Sequence, residues 1–344
     1  MDSIINENRY SRQVLFAPIG LVGQERLQHA RVAIVGLGAL GTVIATQLAR
    51  AGVGFLRLID RDIIEASNLQ RQSLYDEQDA LEQNPKAIAA ANKLRQANSE
   101  IEIEPVVTDL TFRNAETLLV DTDLIMDGTD NFQVRYLIND VAVKHKIPWS
   151  YGGAVSSFGS TALFRPESTP CLVCLFGEDK GSGHDTCDTV GVIAPAVSMI
   201  ASLQVAEALK YLTGNDDALT NALVYLDVWK NDFRSVHFGH RQEDCRCCGK
   251  KEFLSLVSKK DALTVSMCGR RTIQVRPTAS YSPIDLLKMA DKLAKLGSVR
   301  VNEHLLRLDL GEEQITLFAD GRALLHGVDD TTRARSLYAK YIGM

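Results

Sequence analysis

The chain has 344 residues, of which 45% are hydrophobic and 24% charged, and its formal net charge is −5 at pH 7. This length and composition predict a globular protein with one large and one small domain, which needs no disulfides to be stable. The negative charge argues against nucleic acid or an anionic membrane as the main partner. Because neither a signal-peptide pattern nor an apolar run of membrane-spanning length is found, we expect a cytoplasmic protein.

Short apolar runs alternate with segments of helical periodicity through the first 150 residues. The predicted elements are strand 31–35, helix 42–50, strand 55–60, helix 86–98, strand 101–107 and strand 124–126. Alternating strands and helices predict an α/β fold with a doubly wound, mostly parallel Rossmann-like sheet. In such sheets ligands bind beyond the carboxyl ends of the strands, where Asp60 and Asp127–Asp130 are expected.

The rest of the chain is predicted to contain more strands and a second domain. Residues 148–238 read as strands with one helix, Pro195–Leu212, and a mobile polar loop at Gly177–Asp188. A charged stretch after Gly249 separates a large domain, residues 1–255, from a small α+β domain, residues 256–344. The elements predicted in the small domain are strand 272–275, helix 284–294, several strands between 299 and 325, and helix 331–341. No motif in it indicates a chemical role.

A glycine-rich turn follows the first predicted strand and opens the first helix. Its sequence is GxGxxG, formed by Gly36, Gly38 and Gly41, and Asp60 ends the next strand. Glycines let the backbone approach phosphates at a helix N-terminus, and an acid at this distance can bind ribose hydroxyls. By itself the motif is most typical of nicotinamide or flavin oxidoreductases.

Two cations follow the glycine turn in the sequence. Arg71 lies in Ser67-Asn68-Leu69-Gln70-Arg71-Gln72, and Lys86 follows Asn84-Pro85. Arginine and lysine at this edge suit a triphosphate better than a dinucleotide, and a carboxylate in Asp127–Asn131 can hold Mg²⁺. The alternative interpretation of Arg71 and Lys86 is an ordinary solvated surface.

Four of the seven cysteines form two CxxC pairs, which are typical of a structural zinc site. Cys171 and Cys174 form the first pair, and Cys245 and Cys248 form the second. Four thiolates complete a tetrahedral zinc site with no open position for chemistry. Cys247 can replace Cys248 in the second pair, although its CxC spacing to Cys245 is less usual. Ordinary thiols without a metal are the other interpretation.

These motifs together resemble the ThiF/MoeB family, which contains molybdopterin-synthase and thiamine-pathway adenylyltransferases and is related to the ubiquitin-activating enzymes. The matching segments are Arg9–Gln13, Gly36–Gly41, Asp60–Asp62, Ser67–Gln72, Pro85–Ala87 and Thr129–Asn131. The resemblance extends through Thr186-Cys187 and covers roughly residues 8 to 250. The Asn-Leu-Gln-Arg-Gln order is highly specific, whereas the glycine motif is not.

The resemblance implies a role for each matching residue. It places ATP against Gly36, Gly38 and Gly41, with Asp60 on the ribose. It assigns phosphate contacts to Asn68, Arg71 and Lys86, and Mg²⁺ at the reacting phosphate to Asp130. Arg12 resembles an arginine inserted into the neighbouring subunit's site, which implies a homodimer. The resemblance also favours Cys248 over Cys247 as the zinc ligand.

The implied activity is adenylation of the C-terminal glycine carboxylate of a ubiquitin-like sulfur-carrier protein, with release of pyrophosphate, in molybdopterin or thiamine biosynthesis. Cys187 matches a cysteine that can form a covalent link with the carrier. Asp185 and Asp188 should raise its pKa, so an inert loop thiol is the alternative. The other functions considered are adenylation of a small-molecule or tRNA carboxylate, a non-catalytic scaffold, and an NAD-dependent oxidoreductase.

Overall fold

The computed structural model describes residues 7–178, 190–257, 264–266, 271–276 and 284–343. The chain divides into two compact units, residues 1–258 and residues 259–344. Cys187 and most of the polar loop predicted at Gly177–Asp188 lie outside the described residues, as does Cys268. None of the helices among the described residues combines the length and apolar character needed to cross a membrane.

An eight-stranded sheet forms the centre of the first unit, with strand order β3-β2-β1-β4-β5-β6-β7-β8. The strands are β1 Arg31–Val35, β2 Phe55–Asp60, β3 Glu102–Val107, β4 Leu124–Asp127, β5 Trp149–Val155, β6 Phe158–Phe164, β7 Ala222–Asp227 and β8 Asp232–His237. Pairs from β3 to β5 are parallel, and pairs from β5 to β8 are antiparallel. This confirms the predicted α/β fold with a mostly parallel sheet.

Helices cover both faces of this sheet. The described helices of the first unit are α1 Glu7–Val14, α2 Gly20–His29, α3 Ala39–Ala51, α4 Glu77–Glu82, α5 Lys86–Ala97, α6 Ala115–Leu119, α7 Phe132–His145, α8 Leu172–Phe176, α9 Ala194–Thr213 and α10 Leu254–Val257. Ile34 packs in one core with α3, α5 and α9, whereas its neighbour Val35 packs in a second core with α7. Because strand side chains alternate between faces, an almost wholly apolar β1 supplies both cores.

The carboxyl ends of β1, β2 and β4 meet at one edge of the sheet. The Gly36 N–H donates to the Ile59 carbonyl at 2.8 Å, and the Gly128 N–H donates to the Val35 carbonyl at 2.8 Å. The loops that follow β1 and β4 are therefore held side by side. This edge contains the glycine turn, Asp60 and the loop leading to Asp130.

The second unit is an antiparallel sheet with two described helices. Its strand order is β11-β12-β13-β14-β10-β9. The elements are β9 Thr264–Ser266, β10 Thr272–Val275, α11 Leu286–Leu293, β11 Ser298–Val301, β12 Leu305–Asp309, β13 Gln314–Phe318, β14 Ala323–His326 and α12 Thr331–Tyr341. The predicted strand at 272–275 and helix at 331–341 are confirmed. A separate core that includes Ile273, Leu308 and Tyr338 joins sheet and helices.

Candidate functional site

Three glycines of the site edge are in direct backbone contact. A Cβ on Gly41 would lie 1.8 Å from the Gly36 carbonyl oxygen, and one on Gly36 would lie 2.9 Å from the Gly128 backbone. Gly36 also has a φ of +85°, which side-chain-bearing residues rarely adopt. The start of α3 therefore packs directly against the loop that follows β4. Gly36 and Gly41 are thus required by the fold itself.

Gly38 differs from the other two glycines of the motif. It is the N-cap of α3, with an ordinary negative φ of −76° and no side-chain cap. The nearest atom to a Cβ placed there is Gln72 Nε2, at 3.9 Å. Packing against protein does not require a glycine here. Open space at a helix N-terminus suits an anionic ligand that approaches the backbone closely.

Asp60 fixes the glycine turn. Its Oδ2 accepts a hydrogen bond from the Leu37 N–H at 2.6 Å, and its Oδ1 accepts one from the Asp62 N–H at 2.7 Å. Burial raises the pKa of Asp60 above its ordinary value, although Lys86 acts in the opposite direction. Each carboxylate oxygen can accept a further hydrogen bond. Asp60 can therefore hold the turn and also accept a hydrogen bond from a ribose hydroxyl.

The Asn-Leu-Gln-Arg-Gln segment leaves two buried amide atoms without a hydrogen-bond partner among the described residues. Asn68 is 1% exposed, and its Oδ1 accepts from the Glu65 N–H while its Nδ2 has no partner. Gln72, beside Gly38, is also buried, and its Oε1 has no partner. A buried polar atom left unsatisfied costs about 1–3 kcal/mol. A polar ligand at this edge removes that cost.

The solvated-surface interpretation is wrong for Lys86. This residue begins α5 and is only 5% exposed, with its Nζ 3.5 Å from Asp62 Oδ2. The Tyr75 hydroxyl lies within hydrogen-bonding distance of the Leu37 and Lys86 carbonyl oxygens, at 3.0 and 3.2 Å. Tyr75 thus ties the start of α5 to the glycine turn. Arg71 is half-buried, and its Nη1 donates to the Ser67 carbonyl at 3.0 Å.

The two carboxylates of the loop after β4 are in different environments. Asp127 is fully buried, where its Oδ2 accepts from Arg135 Nε at 2.9 Å and its Oδ1 accepts from the Thr129 hydroxyl at 2.7 Å. Burial raises the pKa of Asp127, against the lowering effect of Arg135. Asp130 is exposed. Asp127 is therefore structural, and Asp130 is the carboxylate of this loop that can meet a metal ion.

The two CxxC pairs come together, and Cys247 is not part of the group. The ligand atoms of Cys171, Cys174, Cys245 and Cys248 all lie within 4.8 Å of one another. Neighbouring sulfurs are 3.4 to 3.9 Å apart in the pairs 171–174, 171–245 and 174–248. Thiolates on a tetrahedral metal with bonds of about 2.3 Å are about 3.8 Å apart, so the spacing suits such an ion.

Without a metal ion, burial and the closeness of the sulfurs keep these thiols protonated. The hydrogen bond with Cys171, together with burial, raises the pKa of Cys174 to about 12. Burial and the neighbouring Cys174 raise the pKa of Cys248 to about 12. Thiols this close to one another cannot all ionise unless a cation balances their charge.

Arg12 lies far from the glycine turn of its own chain. It is exposed on α1, whose next residue, Gln13, donates from Nε2 to the Ala51 carbonyl at 2.9 Å. Ala51 is the last residue of α3, and Gly38 caps the first turn of that helix. A helix of 13 residues is about 20 Å long, so the fold does not bring Arg12 to this site.

Sequence reasoning missed Arg135 and gave Gln72 no role. Arg135 is buried, and its Nη2 donates to the Thr129 carbonyl at 2.6 Å and the Gly152 carbonyl at 2.8 Å. It therefore holds the loop that presents Asp130. A single charge inside the apolar run Phe132–Ile138 was the available signal, because such a charge is buried only when it is paired.

Comparisons with known proteins identify the family. The model of the ThiF family matches residues 10–247. The chain is 44% identical over 337 residues, 97% of this chain and 99% of the relative, to "Sulfur carrier protein ThiS adenylyltransferase" of Bacillus subtilis. It is 37% identical over 248 residues, 70% of this chain and 90% of the relative, to "Sulfur carrier protein adenylyltransferase" of Thermus thermophilus.

A solved structure shares the fold. The chain resembles the crystal structure of E. coli MccB with ATP, with a TM-score of 0.63 and 26% identity, over 71% of this chain and 75% of that one. The resemblance inferred from the sequence motifs is thereby confirmed. The chain belongs to the ThiF family.

Proposed function

We propose that this protein is an ATP-dependent adenylyltransferase that activates the C-terminal glycine carboxylate of a ubiquitin-like sulfur-carrier protein. The observation that carries this proposal is the match, over nearly the whole of both chains, to an adenylyltransferase named for the carrier ThiS. This match also favours a thiamine-pathway carrier over a molybdopterin-pathway one. The family assignment favours adenylyl transfer over the oxidoreductase alternative.

ATP fits the edge of the sheet described above. Its phosphates would lie at the N-terminus of α3, over the open space at Gly38, with Lys86 and Arg71 as counter-charges. The ribose would meet Asp60. The unpartnered Asn68 Nδ2 and Gln72 Oε1 supply a donor and an acceptor for the nucleotide.

The reaction needs charge balance and alignment more than a protein nucleophile. The carrier's carboxylate attacks the α-phosphorus of ATP, a new O–P bond forms, and pyrophosphate leaves with the electrons of the broken P–O bond. Lys86 and Arg71 reduce the repulsion between the two anions and hold them in line. Asp130 would hold Mg²⁺, which when bound neutralises charge on the phosphoryl oxygens.

Gly38→Ala tests the nucleotide position. The added methyl group meets no protein atom closer than 3.9 Å, so Tm should fall by less than in Gly41→Ala. ATP affinity should fall about tenfold, because the methyl occupies the space offered to the phosphates. Gly41→Ala is the contrasting control, since its Cβ overlaps the Gly36 carbonyl and should lower Tm. Unchanged ATP affinity in Gly38→Ala would place the phosphates elsewhere.

We assign the four-cysteine group to a structural zinc ion, because four thiolates fill a tetrahedral site completely. Cys248→Ala should lose the metal and lower Tm by about 10 °C, because metal binding contributes directly to folding. Cys247→Ala is the matched control and should keep one zinc per chain. Metal content by mass spectrometry and thermal melting check both variants. Equal zinc content in Cys248→Ala and wild type would contradict the ligand set.

The position of Arg12 supports a homodimer with two composite sites. Arg12 is exposed and about one helix length from its own glycine turn. Exposed apolar side chains follow it in the chain, at Leu15, Phe16, Leu21 and Val22. Apolar surface of this kind is typical of a protein interface. A second chain packed there would cover it and receive Arg12 in its own site.

Mass spectrometry of the carrier tests the proposed reaction. After incubation with ATP and Mg²⁺, a ThiS-type carrier should gain the mass of one AMP group. A smaller fraction of a molybdopterin-type carrier should be adenylylated. A small-molecule or tRNA substrate is the alternative, and it predicts that neither carrier is modified. A covalent link between Cys187 and the carrier is a separate proposal: the Cys187 thiolate attacks the carrier's acyl adenylate, a thioester forms, and AMP leaves. Added thiol should cleave this thioester, and Cys187→Ser should not form it.

A further inference from the structure

Asn139 is a buried polar residue within α7. It is 0% exposed, and its neighbours Ile138 and Val141 belong to the core. Asparagine is a poor helix-interior residue, and burying its amide is costly unless every polar atom is paired. Its side chain therefore has to make specific hydrogen bonds.

The two hydrogen bonds of Asn139 go to the two different cysteine turns. Its Oδ1 accepts from the Leu172 N–H at 2.9 Å, inside the Cys171–Cys174 turn. Its Nδ2 donates to the Cys247 sulfur at 3.2 Å, inside the Cys245–Cys248 turn. These turns are about 70 residues apart in the chain, and one amide on a third element contacts both.

Cys247 completes the contact on the second turn. Its sulfur accepts from Asn139 and lies 3.3 Å from Asp140 Oδ1, to which its thiol hydrogen donates. The other oxygen of Asp140 accepts from the Ser255 N–H at 2.8 Å. The second cysteine turn is therefore attached to α7 through a thiol that is not among the four ligands.

We propose that Asn139 is a positioning residue that holds the two cysteine turns opposite each other, through the Leu172 amide and the Cys247 sulfur. The chain loses conformational entropy when two distant segments are brought together. A rigid helix that binds both segments reduces the part of this loss that metal binding has to offset. The four sulfurs are then pre-arranged for the metal. This inference rests on the zinc assignment above.

The test is the rate at which zinc leaves the folded protein for a colorimetric chelator. Asn139→Ala removes both contacts and should speed release about tenfold, in line with other residues that support metal ligands. Cys247→Ala removes the hydrogen bonds of the Cys247 sulfur with Asn139 and Asp140 but keeps the Leu172 contact, so it should also speed release. The two effects should be less than additive in the double variant, because both changes remove the Asn139–Cys247 hydrogen bond. If Asn139→Ala does not fold, Asn139→Asp, which keeps the acceptor for Leu172, replaces it.

Asn98→Ala is the matched control. Asn98 is also 0% exposed, but its Nδ2 donates to the Tyr10 hydroxyl at 2.8 Å and the Ala49 carbonyl at 2.7 Å. It should lower Tm and leave zinc release at the wild-type rate. Release from Asn139→Ala within twofold of wild type, additive effects in the double variant, or equal acceleration by Asn98→Ala would each overturn the inference. Wild-type protein without zinc would instead overturn the metal assignment and this inference with it.

Discussion

Replacing Asp130 with alanine is expected to lower carrier-dependent adenylation by at least about 100-fold. Asp130 is exposed in the loop after β4, where Arg135 holds the backbone through the Thr129 carbonyl. The fold does not depend on this carboxylate, because Asp127 makes the structural contacts of the loop. The loss should therefore come from Mg²⁺ binding and leave stability unchanged.

The measurement is the rate of AMP transfer to the carrier as a function of Mg²⁺ concentration, together with Tm. Asp130→Asn, which keeps the shape and removes the charge, should behave like Asp130→Ala. Asp217→Ala is the control, since Asp217 is an exposed acid on a short 3₁₀ turn at residues 216–218. An Asp130→Ala enzyme with near wild-type activity would refute the metal position.

Arg12→Ala should lower activity by a comparable factor, and this loss should be reversible by mixing chains. A chain with Arg12→Ala keeps Asp130, and a chain with Asp130→Ala keeps Arg12. If Arg12 acts in the partner's site, a mixed dimer has one intact site of two. Random mixing makes half of the dimers mixed, so about a quarter of wild-type activity should return.

Recovery after mixing is the decisive readout, and the two variants measured separately are its controls. Light scattering of the wild-type protein should give the mass of two chains. Mixing that restores no activity, in chains shown to exchange, would mean that Arg12 acts within its own chain or not at all. A monomeric wild type would contradict the composite site directly.

Local patterns in the sequence were sufficient for the fold and for much of the candidate site. The apolar run 31–35 and the glycine motif predicted a strand, a turn and a helix, and these are β1 and α3. The two CxxC pairs predicted one metal-binding group, and the four sulfurs lie together. Such features depend on residues near one another in the chain, so their spacing carries the information.

Features that depend on distant partners could not be predicted in this way. The motifs favoured a phosphate contact for Lys86, but its burial beside Asp62 is visible only in the fold. Arg135 reaches Asp127, eight residues away, and the Gly152 carbonyl on the next strand. The CxxC spacing and the resemblance already favoured Cys248 over Cys247, but the contacts of Cys247 with Asn139 and Asp140 on α7 are visible only in the fold. Long-range hydrogen bonds of this kind leave no periodic signal in a single sequence.

ATP–pyrophosphate exchange with purified protein, Mg²⁺ and a ThiS-type carrier tests the central claim most directly. We expect exchange that requires the carrier and disappears when its C-terminal glycine is deleted, because the glycine carboxylate is the group that attacks the α-phosphorus. Exchange without any carrier, or no exchange with either type of carrier in folded, zinc-containing protein, would contradict adenylation of a sulfur carrier.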